Sequence, residues 1–128
     1  YQRTADFLVI EGPEAGGHLG FSREQLEHRE EMDFDREIRE IIRCKKEYEE
    51  KFSKKTTVVV AGGLFDRKDI EHAISLGADG VQIASRFVAT EECDASQLYK
   101  DAYIQAKEEE IQLIQSPVGM PGRALRNH

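Results

Sequence analysis

The chain is 128 residues long, 39% hydrophobic and 34% charged, with a formal net charge of −7. The acidic balance argues against a nucleic-acid surface, no apolar run approaches a membrane span of about 20 residues, and no signal sequence is visible. Cys44 and Cys93 are too few and too far apart for a disulfide framework or a clustered zinc site, so the expectation is a soluble cytoplasmic protein without a metal centre.

Asp6-Phe7-Leu8-Val9-Ile10 is a short continuous apolar run of the kind buried on both faces of a parallel sheet, and it predicts a strand at 6–10. It leads straight into Glu11-Gly12-Pro13-Glu14-Ala15-Gly16-Gly17-His18-Leu19-Gly20-Phe21. Gly16 and Gly17 lack side chains, so backbone amides there can approach a planar or anionic group closely, with His18 held beside it. In open α/β sheets and barrels, ligands sit outside the carboxyl ends of such strands. A lone histidine after a strand is more often structural than functional; the later segments raise the functional reading. Glu11 and Glu14 read equally well as site residues and as solvated loop acids or partners of a nearby arginine.

Residues 22–55 are densely charged with the two signs interspersed, which suits a solvated helical surface. Ser22 to Asp33 leaves the ligand end of a strand and is read as a lid in preference to a surface excursion. From about 34 to 52, Phe34, Ile38, Ile41, Ile42, Cys44, Tyr48 and Phe52 fall mainly on one helical face, which should pack on the sheet. His28 and His72 on charged helical surfaces, and His128 at the terminus, read as solvent-exposed.

Thr57-Val58-Val59-Val60-Ala61 predicts a second buried strand, ended by Gly62 and Gly63. Asp66 caps the helix that follows, with Ile70, Ala73 and Ile74 on one face and Gly77 as its stop. Gly80-Val81-Gln82-Ile83-Ala84 predicts the next strand one βα repeat later, followed by Ser85 and Arg86. Adjacent strands ending in Gly62-Gly63 and Ala84-Ser85 can bring backbone N–H groups and a hydroxyl to one anion, a phosphate being the best match. Ser96 to Lys107 reads as a helix with Leu98, Ala102, Tyr103 and Ala106 near one face. Ile111 to Ile114 reads as a short strand or extended segment, and the tail 116–123 holds too many Pro and Gly residues for a helix.

The ordered set EGPEAGGHLGF (11–21), VVVAGGLFD (58–66), GADGVQIASRFVATEECDAS (77–96) and SPVGMPGRALRN (116–127) resembles the nitronate monooxygenase family, formerly the 2-nitropropane dioxygenases, with the flavin-dependent enoyl-ACP reductases as close relatives. The resemblance implies an α/β fold, the C-terminal portion of a TIM (β/α)8 barrel that binds FMN, with residues 1–128 as part of a single domain. The strands at 6–10, 57–61 and 80–84 would be the last three of the eight, the amino-terminal strands being absent. By the same resemblance Ala61, Gly62 and Gly63 lie at the FMN phosphate, while Ala84 and Ser85 stand where the family has a Gly-Thr pair. Glu11, Ala15, Gly16 and Gly17 fall where the family's loop lines the isoalloxazine, His18 matches its active-site histidine, and Met120 meets the flavin or substrate.

The chemistry so implied is oxidation of an alkyl nitronate, through one-electron transfer and reaction with oxygen, to a carbonyl compound and nitrite. His18 would orient or neutralise the anionic nitronate, or act as general base on a neutral nitroalkane. Two alternatives stay open: reduction of an enoyl thioester at the expense of a nicotinamide cofactor, and a catalytically inactive barrel piece. Three parallel strands carry unpaired edges, so self-association or pairing with a complementary N-terminal barrel segment is expected, beside a small-molecule substrate.

Overall fold

The computed structural model describes residues 5–126. Three parallel strands form the first sheet: β1 (Phe7–Glu11), β3 (Thr57–Ala61) and β4 (Gly80–Gln82), in the spatial order β1-β3-β4. Phe7 pairs with Thr57, Glu11 with Ala61, and Ala61 in turn with Gln82. The last strand is shorter than the pattern suggests, because the chain turns from Ile83 and Ala84 into a single-turn helix, α4 (Ser85–Val88).

The crossover from β1 to β3 contains α1 (Arg23–Glu27) and α2 (Phe34–Phe52); that from β3 to β4 contains α3 (Arg67–Ser75). Each start has a chemical cause. The Asp33 carboxylate accepts from the Arg36 N–H, and Asp66 and Asp69 form a reciprocal capping box, so backbone donors at both helix starts are satisfied. Gly77, at φ +107°, follows α3 as the expected stop.

Period two on the strands and 3.6 on the helices place the core between the layers. Ile10, Val58 and Val60 pack with Ile38 and Ile42 of α2, Ala73 of α3, and Leu76 and Ala78. The expected faces are narrower in the structure. Ile41, Cys44 and Tyr48 stay exposed on the flank of α2, where they line an open groove, and Ile74 is exposed on α3. On the opposite face of the sheet Phe7 and Val9 are exposed.

A second, antiparallel sheet follows the order β2-β6-β5, built from β2 (Gly17–His18), β5 (Ile111–Gln115) and β6 (Pro121–Leu125). Thus 111–114 is a strand, and the Pro- and Gly-rich tail is a turn, 116–120, followed by a strand that pairs with the glycine loop. In the chain between β4 and β5, α5 (Gln97–Gln105) buries no residue; Leu98 and Ala102 of its expected apolar face are exposed.

Candidate functional site

The loop after β1 folds over the carboxyl end of β3, where the Gly12 N–H donates to the Ala61 carbonyl at 2.9 Å. Glycine is required in the facing turn. Gly62 and Gly63 sit at φ +87° and +73°, and a Cβ on them would come within 3.0 Å of Ala15 and 2.9 Å of Glu14. The turn and the loop therefore interlock, a packing reason for these glycines independent of any ligand.

A cleft of about 830 Å³ opens beside this junction. All nine residues expected to bind a cofactor line it: Glu11, Ala15, Gly16, Gly17, Ala61, Gly62, Gly63, Ala84 and Ser85. Three strand ends thus converge on one space. The N–H groups of Gly62, Gly63 and Ala84 donate to no partner among the described residues. Around Gly17 a Cβ would meet nothing within 4 Å, and at Gly16 only the Ser85 hydroxyl at 3.8 Å, so the glycine loop faces open space there. Unspent backbone donors, a hydroxyl and a side-chain-free wall fit a phosphate-bearing planar ligand.

His18 is brought to the rim and not into the lining. Its Nε2 lies 2.7 Å from the Ser116 hydroxyl, and Ser116 is the one buried polar residue among those described. The turn that carries Ser116 is tightly bonded: its N–H donates to the Met120 carbonyl, and the Leu19 N–H donates to the Pro121 carbonyl. Met120 itself is exposed and does not line the cleft, so its expected meeting with the ligand is not seen; its backbone is spent on the turn.

Of the two readings of Glu14, an arginine partnership is realised, twice over. One carboxylate oxygen accepts from Arg29 Nε and the other from an Arg123 Nη, each at 2.7 Å. Arg123 lines the cleft from β6, opposite Gly17. The segment 22–33 is a buttress instead of the expected lid: no residue of it lines the cleft, and Leu26 is fully buried with Ala15 and Leu19 beneath the glycine loop.

His28 is exposed and bonds the Glu24 carbonyl, His72 is half-exposed against Asp35, and His128 lies outside the described residues. Sequence reasoning passed over Ser116, Arg123 and the Tyr99–Tyr103 pair, whose hydroxyls meet at 3.2 Å on the far wall of the cleft. The first two lie inside the SPVGMPGR motif, whose folding back onto residues 17–19 is the signal for them. For the tyrosines, spacing i, i+4 was the only hint.

A family model described as nitronate monooxygenase matches residues 1–128. Among curated proteins, a "Probable nitronate monooxygenase" of Staphylococcus saprophyticus is 31% identical over 123 residues, covering 95% of this chain and 32% of that protein. One of Staphylococcus aureus strain Newman, with the same description, is 29% identical over 125 residues. Among solved structures, FabK from Thermotoga maritima superposes with a TM-score of 0.68 at 30% identity, covering 95% of this chain and 33% of that one. The chain therefore spans about a third of the length of the proteins it matches. Its parallel strands with their crossover helices form part of a (β/α)8 barrel.

Proposed function

The chain belongs to the nitronate monooxygenase family, and from that premise we propose that its cleft holds FMN and serves the oxidation of alkyl nitronates to a carbonyl compound and nitrite. The observation that carries this reading is the convergence of the three strand ends, with the unpartnered N–H groups of Gly62, Gly63 and Ala84, on one cleft. Those donors and the Ser85 hydroxyl hold the phosphate. Ala84 keeps the N–H of the family's glycine and adds a methyl. Ala15, Gly16, Gly17 and Glu11 line the ring's place, where the missing side chains at 16 and 17 permit backbone approach.

When bound, FMN supplies the redox chemistry, while the protein orients the substrate and tunes the charge around the ring. His18 handles the proton at the rim. In the tautomer whose Nε2–H donates to the Ser116 oxygen, Nδ1 carries the lone pair that takes a proton from the carbon of a neutral nitroalkane. A second reading, flavin-dependent enoyl reduction with a nicotinamide donor, draws support from the likeness to FabK.

The test is the visible spectrum of the purified protein after loading with FMN and removal of excess. Retained flavin absorption, lost in Ser85→Val, is expected, together with oxygen-dependent nitrite release from propyl-1-nitronate by the complete barrel. Absence of bound flavin in the complete barrel would sink the proposal; rapid flavin reduction by a nicotinamide nucleotide without nitrite formation would favour the reductase.

A further inference from the structure

Two arginines line the cleft, and they are differently committed. Arg86 is exposed, its guanidinium 4.3 Å over the Phe65 ring and one Nη bonded to the Phe65 carbonyl, so it braces the phosphate turn. The Arg123 side chain is only 12% exposed, and its sole partner among the described residues is Glu14, through one Nη. Glu14 divides its oxygens between Arg123 and Arg29. Two cations share one carboxylate, so the Arg29–Glu14–Arg123 cluster carries a net positive charge, of which Arg123 is the member with Glu14 on the cleft wall; Glu11 and Glu108 line the same cleft.

A guanidinium has five N–H donors in a rigid plane, and the edge formed by Nε and the other Nη matches two oxygens of a planar anion. A single bond from one Nη to Glu14 holds the group, and Nε and the other Nη have no partner among the described residues. Burial raises the cost of an uncompensated charge, so an arriving anion gains more there than at an exposed arginine. His18, the anion partner expected from the sequence, sits outside the lining and is engaged by Ser116.

We propose that Arg123 is the anion receptor of the cleft, accepting a planar two-oxygen anion, a nitronate or a carboxylate, on its unspent edge while Glu14 holds the guanidinium in position. This rests on reading the cleft as the substrate site of a flavoprotein.

The experiment is anaerobic titration calorimetry of the complete barrel with propyl-1-nitronate, propionate and neutral 1-nitropropane, for the parent protein, Arg123→Met and Arg123→Lys. FMN affinity is measured separately by fluorescence quenching. Arg123→Met is expected to weaken nitronate binding by about tenfold or more, while FMN and 1-nitropropane affinities stay within about twofold. Arg123→Lys should recover part of the loss, since it restores the charge and not the fork. Propionate binding that falls in parallel assigns the receptor to carboxylates as well; propionate that never binds narrows it to nitronates. Nitronate affinity unchanged in Arg123→Met overturns the proposal. Should that variant fail to fold by circular dichroism, undiminished affinity in Arg123→Lys overturns it instead. A parent protein that binds the anion through Arg123 but takes up no FMN contradicts the flavin reading and leaves the receptor standing.

Discussion

At the scale of single residues, a buried hydroxyl decides how His18 is presented. The Ser116 Oγ lies 2.7 Å from Nε2 and also meets the Val118 N–H at 3.4 Å, so it is fixed from the turn side before it meets the ring. Ser116→Ala removes one hydrogen bond, worth about 1 kcal/mol, and leaves the exposed imidazole to rotate in water. On the proposed chemistry, turnover of a neutral nitroalkane, which needs a proton taken from carbon, is expected to fall by about tenfold, whereas turnover of preformed nitronate would stay near the parent value. Steady-state kinetics on both substrates check this, and equal losses on the two would show that Ser116 does not act through the proton step. Gly62 carries a different constraint, since its φ of +87° and the 3.0 Å approach to Ala15 leave no place for a side chain. Gly62→Ala is expected to cost about 1–2 kcal/mol, read as a lowered Tm. The glycine pairs were legible from sequence because their conformational need is local. Ser116 was not, since its role depends on a histidine 98 positions away.

At the scale of elements, Asp79 joins neighbouring strands. Its carboxylate accepts the Val58 N–H at 2.8 Å, its own N–H donates to the Val58 carbonyl at 2.8 Å, and Lys45 of α2 stands 3.6 Å away. The bond from Val58, aided by Lys45, holds the Asp79 carboxyl below the usual carboxylate range. A carboxylate depressed on folding contributes stability that is present above its unfolded pKa, and loses it as pH falls through the lower folded value. Asp79→Asn should therefore flatten the acid limb of stability measured by urea melts below about pH 4, and be least tolerated near neutrality; parallel acid limbs in the two proteins would refute the role. The side chain is about half exposed, so the effect is small. Elements with internal signals were legible: α2 spans Phe34–Phe52 as its periodicity predicts, and Asp66 caps α3. The helix α5 was legible as a helix but not by its face, because Leu98 and Ala102 find no described partner. Amphipathicity identifies a face that wants covering without naming what covers it.

At the scale of the molecule, the uncovered surfaces follow one geometry. A parallel sheet is normally covered on both faces, yet Phe7 and Val9 lie open on one face of this one, and among the described residues β1 and β4 each pair on a single edge. Beside the free edge of β1 runs a groove of about 630 Å³ between Leu8 and the flank of α2, where Ile41, Cys44, Tyr48 and Phe52 leave the core. In a repeating βα layer, α2 covers the join of β1 and β3, so the next helix outward would lie in this groove with its strand on the β1 edge. The matched proteins are about three times as long as this chain, which is room for such units. Cys44, a free and exposed thiol in the groove, reports on occupancy directly. With Cys93→Ser to remove the second thiol, Cys44 in the 128-residue chain is expected to react with a disulfide reagent at the rate of an open thiol. In the complete barrel the rate should fall by about tenfold or more, as it does for a thiol under a packed helix. Equal reactivity in the two forms would mean that the groove faces solvent in the assembled barrel, and that the flank of α2 serves another purpose. Protection that appears instead with rising concentration of the 128-residue chain would point to a second copy in the groove, in place of a neighbouring barrel unit.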